Sequence, residues 1–304
     1  MISGHSHPPH GNLESGGEKS TLRRLAGVLA LSLLFMVVEA VGGVLSGSLA
    51  LLADAGHMLS DAMAVALSLA ALWLAGRSVN TRHTYGYRRA EFLAAFVNAI
   101  GLMLLALWIV IEAVERFGEP RPIAGGLMLG VAVVGMGVNI LALWLLHGRA
   151  GHNLNLRSAI WHVTGDLLGS LGAVGAALVI HFTGWTPIDP LLSLGIAILI
   201  GIAGGRILYD SASLLMDRVP TQIDQEEVSS FLGQWPEVRH ICDLHIWSVS
   251  SNETMLTAHL VVDPAADRDK LLHRLLSALN ARFDLAHLTL QLENEPHATC
   301  LHEW

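Results

Sequence analysis

Two stretches of this chain pair a histidine with an aspartate four residues later, inside segments that otherwise carry almost no charge. LLADAGHMLSDAMA holds His57 and Asp61, and SAIWHVTGDLLGS holds His162 and Asp166. A spacing of four puts both side chains of a pair on one helix face, about one turn apart. Two such faces turned toward each other present two imidazole nitrogens and two carboxylate oxygens, a full tetrahedral set for Zn2+. The charge also balances, because two carboxylates neutralise a dication. Once the metal leaves, bare carboxylates in low dielectric are costly, so protons must replace it. Metal and proton compete for the same atoms, which is the physical basis of cation/proton exchange. One pair alone reads equally well as an intramembrane His–Asp hydrogen bond that helps two helices pack; two copies on separate segments favour the metal site.

The elements that must carry these pairs are membrane helices. Of 304 residues 52% are hydrophobic and only 14% charged, too apolar for an ordinary soluble domain. Long, nearly uncharged blocks fill the stretch from Leu22 to Leu215, and after Pro220 polar and apolar residues alternate. A helix needs about 20 apolar residues to cross the hydrocarbon core, and six segments reach that length, near 22–45, 49–75, 89–116, 124–147, 156–182 and 189–211. The expected fold is an α-helical membrane protein of six spans, followed by a small α/β domain. The expected division is a His-containing tail over 1–21, a transport domain over 22–212 and a C-terminal domain over 213–304.

Six spans place both termini on one side. Lys19, Arg23, Arg24, Arg77, Arg82, Arg88, Arg89, Arg149 and Arg157 flank that side, and only Arg116 and Arg121 stand at the other. The positive-inside rule then makes both termini cytoplasmic. The formal net charge of −8 makes nucleic acid an unsuitable partner. The polar N-terminus lacks a secretory-signal pattern and reads as a disordered tail, in which His5, His7 and His10 either capture zinc loosely or do nothing. The two cysteines, Cys242 and Cys300, do not describe a disulfide framework and suit a reduced compartment.

Other polar residues within the spans carry weaker signals. Asp54 shares a face with His57 and either lines the path, acts behind the ligands, or makes a polar contact near the helix end. Glu39 and Glu91 read as structural acceptors, from neighbouring helices or from Arg88 and Arg89. Asn98 and Asn139 read as interhelical hydrogen-bond partners, and Gly130, Gly135, Gly137, Gly169, Gly172 and Gly175 as places where helices approach closely.

After Pro220 the pattern predicts helix 224–235, strand 238–248, strand 253–263, helix 267–283 and strand 287–293, an αββαβ order that suits a small open sheet with its helices on one face. The domain and its tail hold His240, Cys242, His245, His259, His287, Glu293, His297, Cys300 and His302, a density of soft and borderline ligands that points to metal. His245 reads either as a ligand or as a satisfied histidine beside Trp247.

The blocks SGSLALLADAGHMLSDA, RHTYGYRRAEFLAAFVNA, WHVTGDLLGSLG and CDLHIWSV resemble signatures of the cation diffusion facilitator family, over nearly the whole chain from the first span to Glu293. The closest likeness is to its bacterial zinc-efflux branch, with vertebrate zinc-vesicle transporters further off. The resemblance implies a homodimeric zinc/proton antiporter working by alternating access, with His57, Asp61, His162 and Asp166 as transport ligands and a metallochaperone-like cytoplasmic domain. Zn2+ is the expected substrate, with Cd2+ or Co2+ tolerated. The resemblance also implies zinc ligands at Cys242, His259 and Glu293, completed by the tail around Cys300, although relatives usually have His at the Cys242 position. In some members the loop after the second span holds another metal site; its usual acid and two histidines are missing here, and His83 alone remains as a transient ligand or a solvated residue.

Two other classes are weaker fits. A zinc enzyme keeps an open coordination position on three protein ligands, whereas four ligands stand here and no His-Glu-x-x-His motif occurs. A membrane-tethered metal sensor needs one or two spans, and six with paired ligands predict vectorial movement.

Overall fold

A computed structural model of the chain describes residues 14–147 and 154–294. His5, His7, His10, Arg149, His297, Cys300 and His302 lie outside the described residues. Six long helices come first: α1 (Glu14–Ser46), α2 (Leu49–Ala75), α3 (Ala90–Gly118), α4 (Gly125–Leu146), α5 (Leu154–Thr183) and α6 (Ile188–Leu215). Each is long and apolar enough to cross a bilayer. α1 starts earlier than the apolar pattern does, because ESGGEKSTLRRL continues the helix with a polar turn sequence ahead of the span. Then follow α7 (Gln225–Gly233), β1 (Val238–Ser250), β2 (Glu253–Val262), α8 (Arg268–Phe283) and β3 (His287–Glu293), the predicted αββαβ order. By contacts the described chain divides into two compact units, one of residues up to Met63 with Gly101–Ala203, the other of Ala64–Ile100 with residues from Gly204 onward.

In the first unit, small side chains let the backbones close up, as expected where lipid supplies no hydrophobic drive between helices. Ala50 and Leu51 of α2 pack with Met128 and Ala132 of α4 and with Ala173, Ala176, Ala177 and Ile180 of α5, all buried. A second cluster joins Leu49 and Ala53 of α2 to Leu102, Ala106, Ile109 and Ala113 of α3 and to Ala197 and Ile200 of α6. α1 packs along α4, where Gly135 faces Phe35 so closely that a Cβ would sit 2.4 Å from the ring. Of the glycines singled out from sequence, Gly130, Gly137 and Gly175 meet nothing within 4 Å. Close approaches do fall at two of those singled out, Gly135 and Gly172, the latter with a Cβ position 3.1 Å from Leu192, and also at Gly42 and Gly56, because the rotation of each helix selects which glycine meets a neighbour. Asn139 donates to Ser170 Oγ at 3.0 Å, the expected interhelical bond between α4 and α5.

At the end of this unit where α1 turns into α2, one acid organises four segments. Asp189, fully buried at the start of α6, accepts from Ser48 Oγ at 2.5 Å, from Leu49 N–H at 2.7 Å and from Ala50 N–H at 3.2 Å. These are donors that the first turn of α2 would otherwise leave unmet. Arg116 of α3 lies 3.5 Å from Asp189, donates to the Gly47 carbonyl at 2.5 Å and pairs with Glu112 at 3.0 Å; Arg121 pairs with the same Glu112 at 2.7 Å. Arg116 and Arg121 are thus both paired with acids nearby. Gly47 makes the turn at φ +75°, where a side chain would be strained.

In the second unit a mixed sheet of order β1-β2-β3 pairs β1 with β2 antiparallel and β2 with β3 parallel, the latter through the α8 crossover. Leu256, Ala258, Leu260 and Val262 of β2 face Val228 and Leu232 of α7 and Leu271, Leu275 and Leu279 of α8, forming the core. Asp224 and Asp267 cap the two helices, accepting from Glu226 N–H at 2.9 Å and Lys270 N–H at 3.2 Å. Leu275 is wholly enclosed, so Leu275→Ala should destabilise this domain by about 2–5 kcal/mol, read from its chemical denaturation midpoint. Asp263 accepts from Ala265 N–H and pairs with Arg239, each at 2.8 Å, and these hold its carboxyl below the usual range. Its contribution is therefore present at neutral pH and lost as pH falls through the depressed value.

The start of α3 is tied to the β1–β2 turn. Arg88 pairs with Glu253, and Glu91 accepts from Ser251 through its hydroxyl and, at 3.3 Å, its N–H. Arg89 pairs with Asp217 beyond α6. Glu91 is an acceptor as expected, but neither a neighbouring helix nor Arg88 or Arg89 supplies these bonds: both arginines are drawn to acids distant in sequence, and Ser251 is its donor.

Candidate metal centre

The two His-x-x-x-Asp pairs come together. The Ala-rich faces of α2 and α5 bring the helices close, and each four-residue spacing stacks His over Asp on the facing side. Asp61 Oδ2 lies 3.6 Å from His57 Nε2 and 3.4 Å from His162 Nε2. His162 Nε2 is also 3.7 Å from Asp166 Oδ2. The two imidazole rings stand 6.2 Å apart at 61°, edge to face. Four donors from two helices therefore share one neighbourhood, with Asp61 between both histidines.

These spacings have a direct meaning for coordination. Ligand atoms about 2.0–2.1 Å from a tetrahedral Zn2+ are about 3.3 Å from one another, close to the separations found. Asp61 Oδ2 and His57 Nδ1 are enclosed yet have no hydrogen-bond partner, as an acceptor set aside for a cation would be. Among the described residues no group of three or more His, Cys, Asp or Glu is placed so that it could hold a metal ion as it stands. Asp166 is 12% exposed and His162 50%, so the set is anchored on one side and open on the other.

Two acids adjoin the set. Asp54 lies one turn before His57, and Glu39 of α1 is 1% exposed and interacts with Asp54. His83 sits exposed in the loop after α2, where its N–H donates to Asn80 Oδ1 at 2.9 Å and its ring lies 4.4 Å from that of Tyr87.

The C-terminal domain gathers a second set on the sheet face away from its helices. His259 Nδ1 is 3.4 Å from Glu293 Oε1 and 3.9 Å from Asp243 Oδ2, and His245 Nε2 is 3.9 Å from Asp243 Oδ1. Cys242 is buried, pairs in register with His259 and is held in a disulfide, so the reduced thiol and metal ligand expected there from sequence are not what the structure has: a sulfur in a disulfide offers no thiolate to a metal. Asp243 was missed from sequence. A bulge between Cys242 and His245 puts it at φ +49°, so it reaches the same face as Cys242 instead of the opposite one. The available signal was the residue type, since Asp tolerates the left-handed region better than most. His287 pairs with Met255, four strand positions from Gln291, the register partner of His259, and stands apart from this group.

Comparison with known proteins accounts for both halves. The model of the cation efflux transmembrane domain matches residues 25–216, and that of the cation efflux protein cytoplasmic domain matches 220–295. The chain is 46% identical over 281 residues to the zinc transporter ZitB of Escherichia coli K12, covering 92% of this chain and 90% of that protein. It is 40% identical over 268 residues to the cadmium, cobalt and zinc/H(+)-K(+) antiporter of Bacillus subtilis, covering 86% of each. The solved metal-bound C-terminal domain of the CzcD transporter from Cupriavidus metallidurans is 36% identical, covering 23% of this chain and 99% of that one at a TM-score of 0.23. This chain, with six membrane helices and a small α/β domain, belongs to the cation efflux family, whose members are transporters and not enzymes.

Proposed function

We propose that this protein exports Zn2+ from the bacterial cytoplasm across the inner membrane in exchange for protons, by alternating access at His57, Asp61, His162 and Asp166. The observation that carries the reading is Asp61 Oδ2, unpartnered and 3.4–3.6 Å from an imidazole nitrogen of each pair. Mixed nitrogen and oxygen donors suit zinc, with Cd2+ or Co2+ as secondary substrates; the names of the relatives at 46% and 40% identity agree with this. Departure of the dication leaves two carboxylates in low dielectric, and protons entering from the far side neutralise them.

In this reading the chain works as a homodimer with both termini cytoplasmic, a tail over 1–21, a transport domain over 22–212 and a metal-binding domain over 213–304. His259 and Glu293, with His245 and Asp243, bind zinc there and stabilise or sense, and Cys242 and the tail around Cys300 join them only in the reduced protein. His259→Ala is expected to weaken zinc binding by the purified full-length protein by one class of sites while proteoliposome transport persists. The deciding experiment loads the protein into vesicles and follows zinc uptake under an imposed pH gradient. Uptake that rises with the gradient supports exchange; binding without movement under any gradient would leave a tethered sensor as the better reading.

A further inference from the structure

Two buried acids in the membrane helices have opposite surroundings. Asp189 meets three hydrogen-bond donors and an arginine, which is how a structural acid is kept. Glu39 is 1% exposed, and its Oε2 has no hydrogen-bond partner. Its neighbour is another acid, Asp54. The charged and titratable groups acting on this pair are Asp166, which reaches both, and His57 and Asp61, which reach Asp54; no lysine or arginine is among them. Asp54 Oδ1 lies against Gly169 of α5, where a Cβ would stand 3.9 Å from it. Three helices thus converge on two carboxyls. Asp54 precedes His57 by three residues, so the pair sits about 4.5 Å further along α2 toward the α1–α2 turn.

Glu39 and Asp54 are hydrogen-bonded to each other, and a buried acid pair whose Glu39 Oε2 meets no donor is retained for something it binds. We propose that Glu39 and Asp54 form a second, all-oxygen cation station, which receives the dication in transit between the four-ligand site and the membrane face of the α1–α2 turn. The proposal rests on the transport reading above. Carboxylate oxygens alone hold Zn2+ less well than a set with two imidazoles, so an ion drawn forward by this charge is also released. Conduction requires that combination of attraction and weak, sequential binding.

The test uses full-length protein and Zn2+ itself. Glu39→Gln keeps the shape and removes one charge, and Asp54→Asn does the same on the partner. In proteoliposomes either change should lower the zinc transport rate about tenfold while the Kd of the four-ligand site stays within about twofold. Glu39→Asp should restore most of the rate. In protein whose four-ligand site is disabled by Asp61→Ala, adding Glu39→Gln should remove one further weak zinc equivalent per chain. The melting temperature of Glu39→Gln should hold or rise, because an unsatisfied buried acid has been replaced; a structural acceptor would show a fall. Undiminished transport in both Glu39→Gln and Asp54→Asn, or no difference in bound zinc between the two Asp61→Ala proteins, overturns the station. Failure of the transport reading is separate, since the unaltered protein would then move no zinc.

Discussion

Asp61→Ala is expected to reduce zinc flux to that of protein-free vesicles, with the protein still folded and inserted. Asp61 lies within 3.6 Å of both histidines, so in the proposed site its loss removes a ligand, half of the neutralising charge and the contact between the two pairs at once. Folding survives because the carboxyl supports no other described hydrogen bond and its Oδ2 has no partner to lose. Asp166→Ala should act in the same direction through its contact with His162 at 3.7 Å. Radiolabelled or dye-reported uptake into proteoliposomes, with size-exclusion profiles as the folding control, checks both. His57→Asp replaces a borderline nitrogen by oxygen and should change selectivity among zinc, cadmium and manganese, not abolish binding. If both alanine variants transported zinc at the unaltered rate, the site assignment would fall.

Asp189→Ala should be the most damaging change for stability in the helical unit. It strips three donors of their acceptor at the start of α2 and leaves Arg116, 8% exposed, without its second carboxylate. Breaking a buried pair from one side costs about 3–5 kcal/mol, and Glu112 beside Arg116 at 3.0 Å keeps the loss near the lower bound, about 3 kcal/mol. Thermal unfolding in detergent measures it. Asp189→Asn retains an acceptor oxygen and should cost less, whereas equal losses for Ala and Asn would assign the effect to charge alone. The contrast with Glu39→Gln is diagnostic: one buried acid holds the fold, and the other is held by it.

The number and length of the membrane helices and the αββαβ order follow from residues near one another in sequence, and both were readable without coordinates. So was the stacking of His57 with Asp61 and of His162 with Asp166, because a four-residue spacing sets it within one helix. The meeting of the two pairs is a different matter. It depends on how α2 and α5 are rotated about their axes, which is decided by alanines and glycines dispersed over several helices. The same rotation sorted Gly135, in contact, from Gly137, in open space.

What the sequence by itself determined was the inventory and its periodicity: six apolar spans, two His-x-x-x-Asp pairs, and a domain rich in soft donors. Tertiary structure alone distinguished acids that look alike on paper. Asp189 is satisfied by donors some 140 residues away, and Glu39 faces only another acid. It also redirected Asp243, since one extra residue in β1 reverses which side of the sheet a side chain occupies. The physical reason is common to all three: electrostatic meaning belongs to a neighbourhood, and in a helical bundle or a bulged strand the neighbourhood is assembled from distant segments.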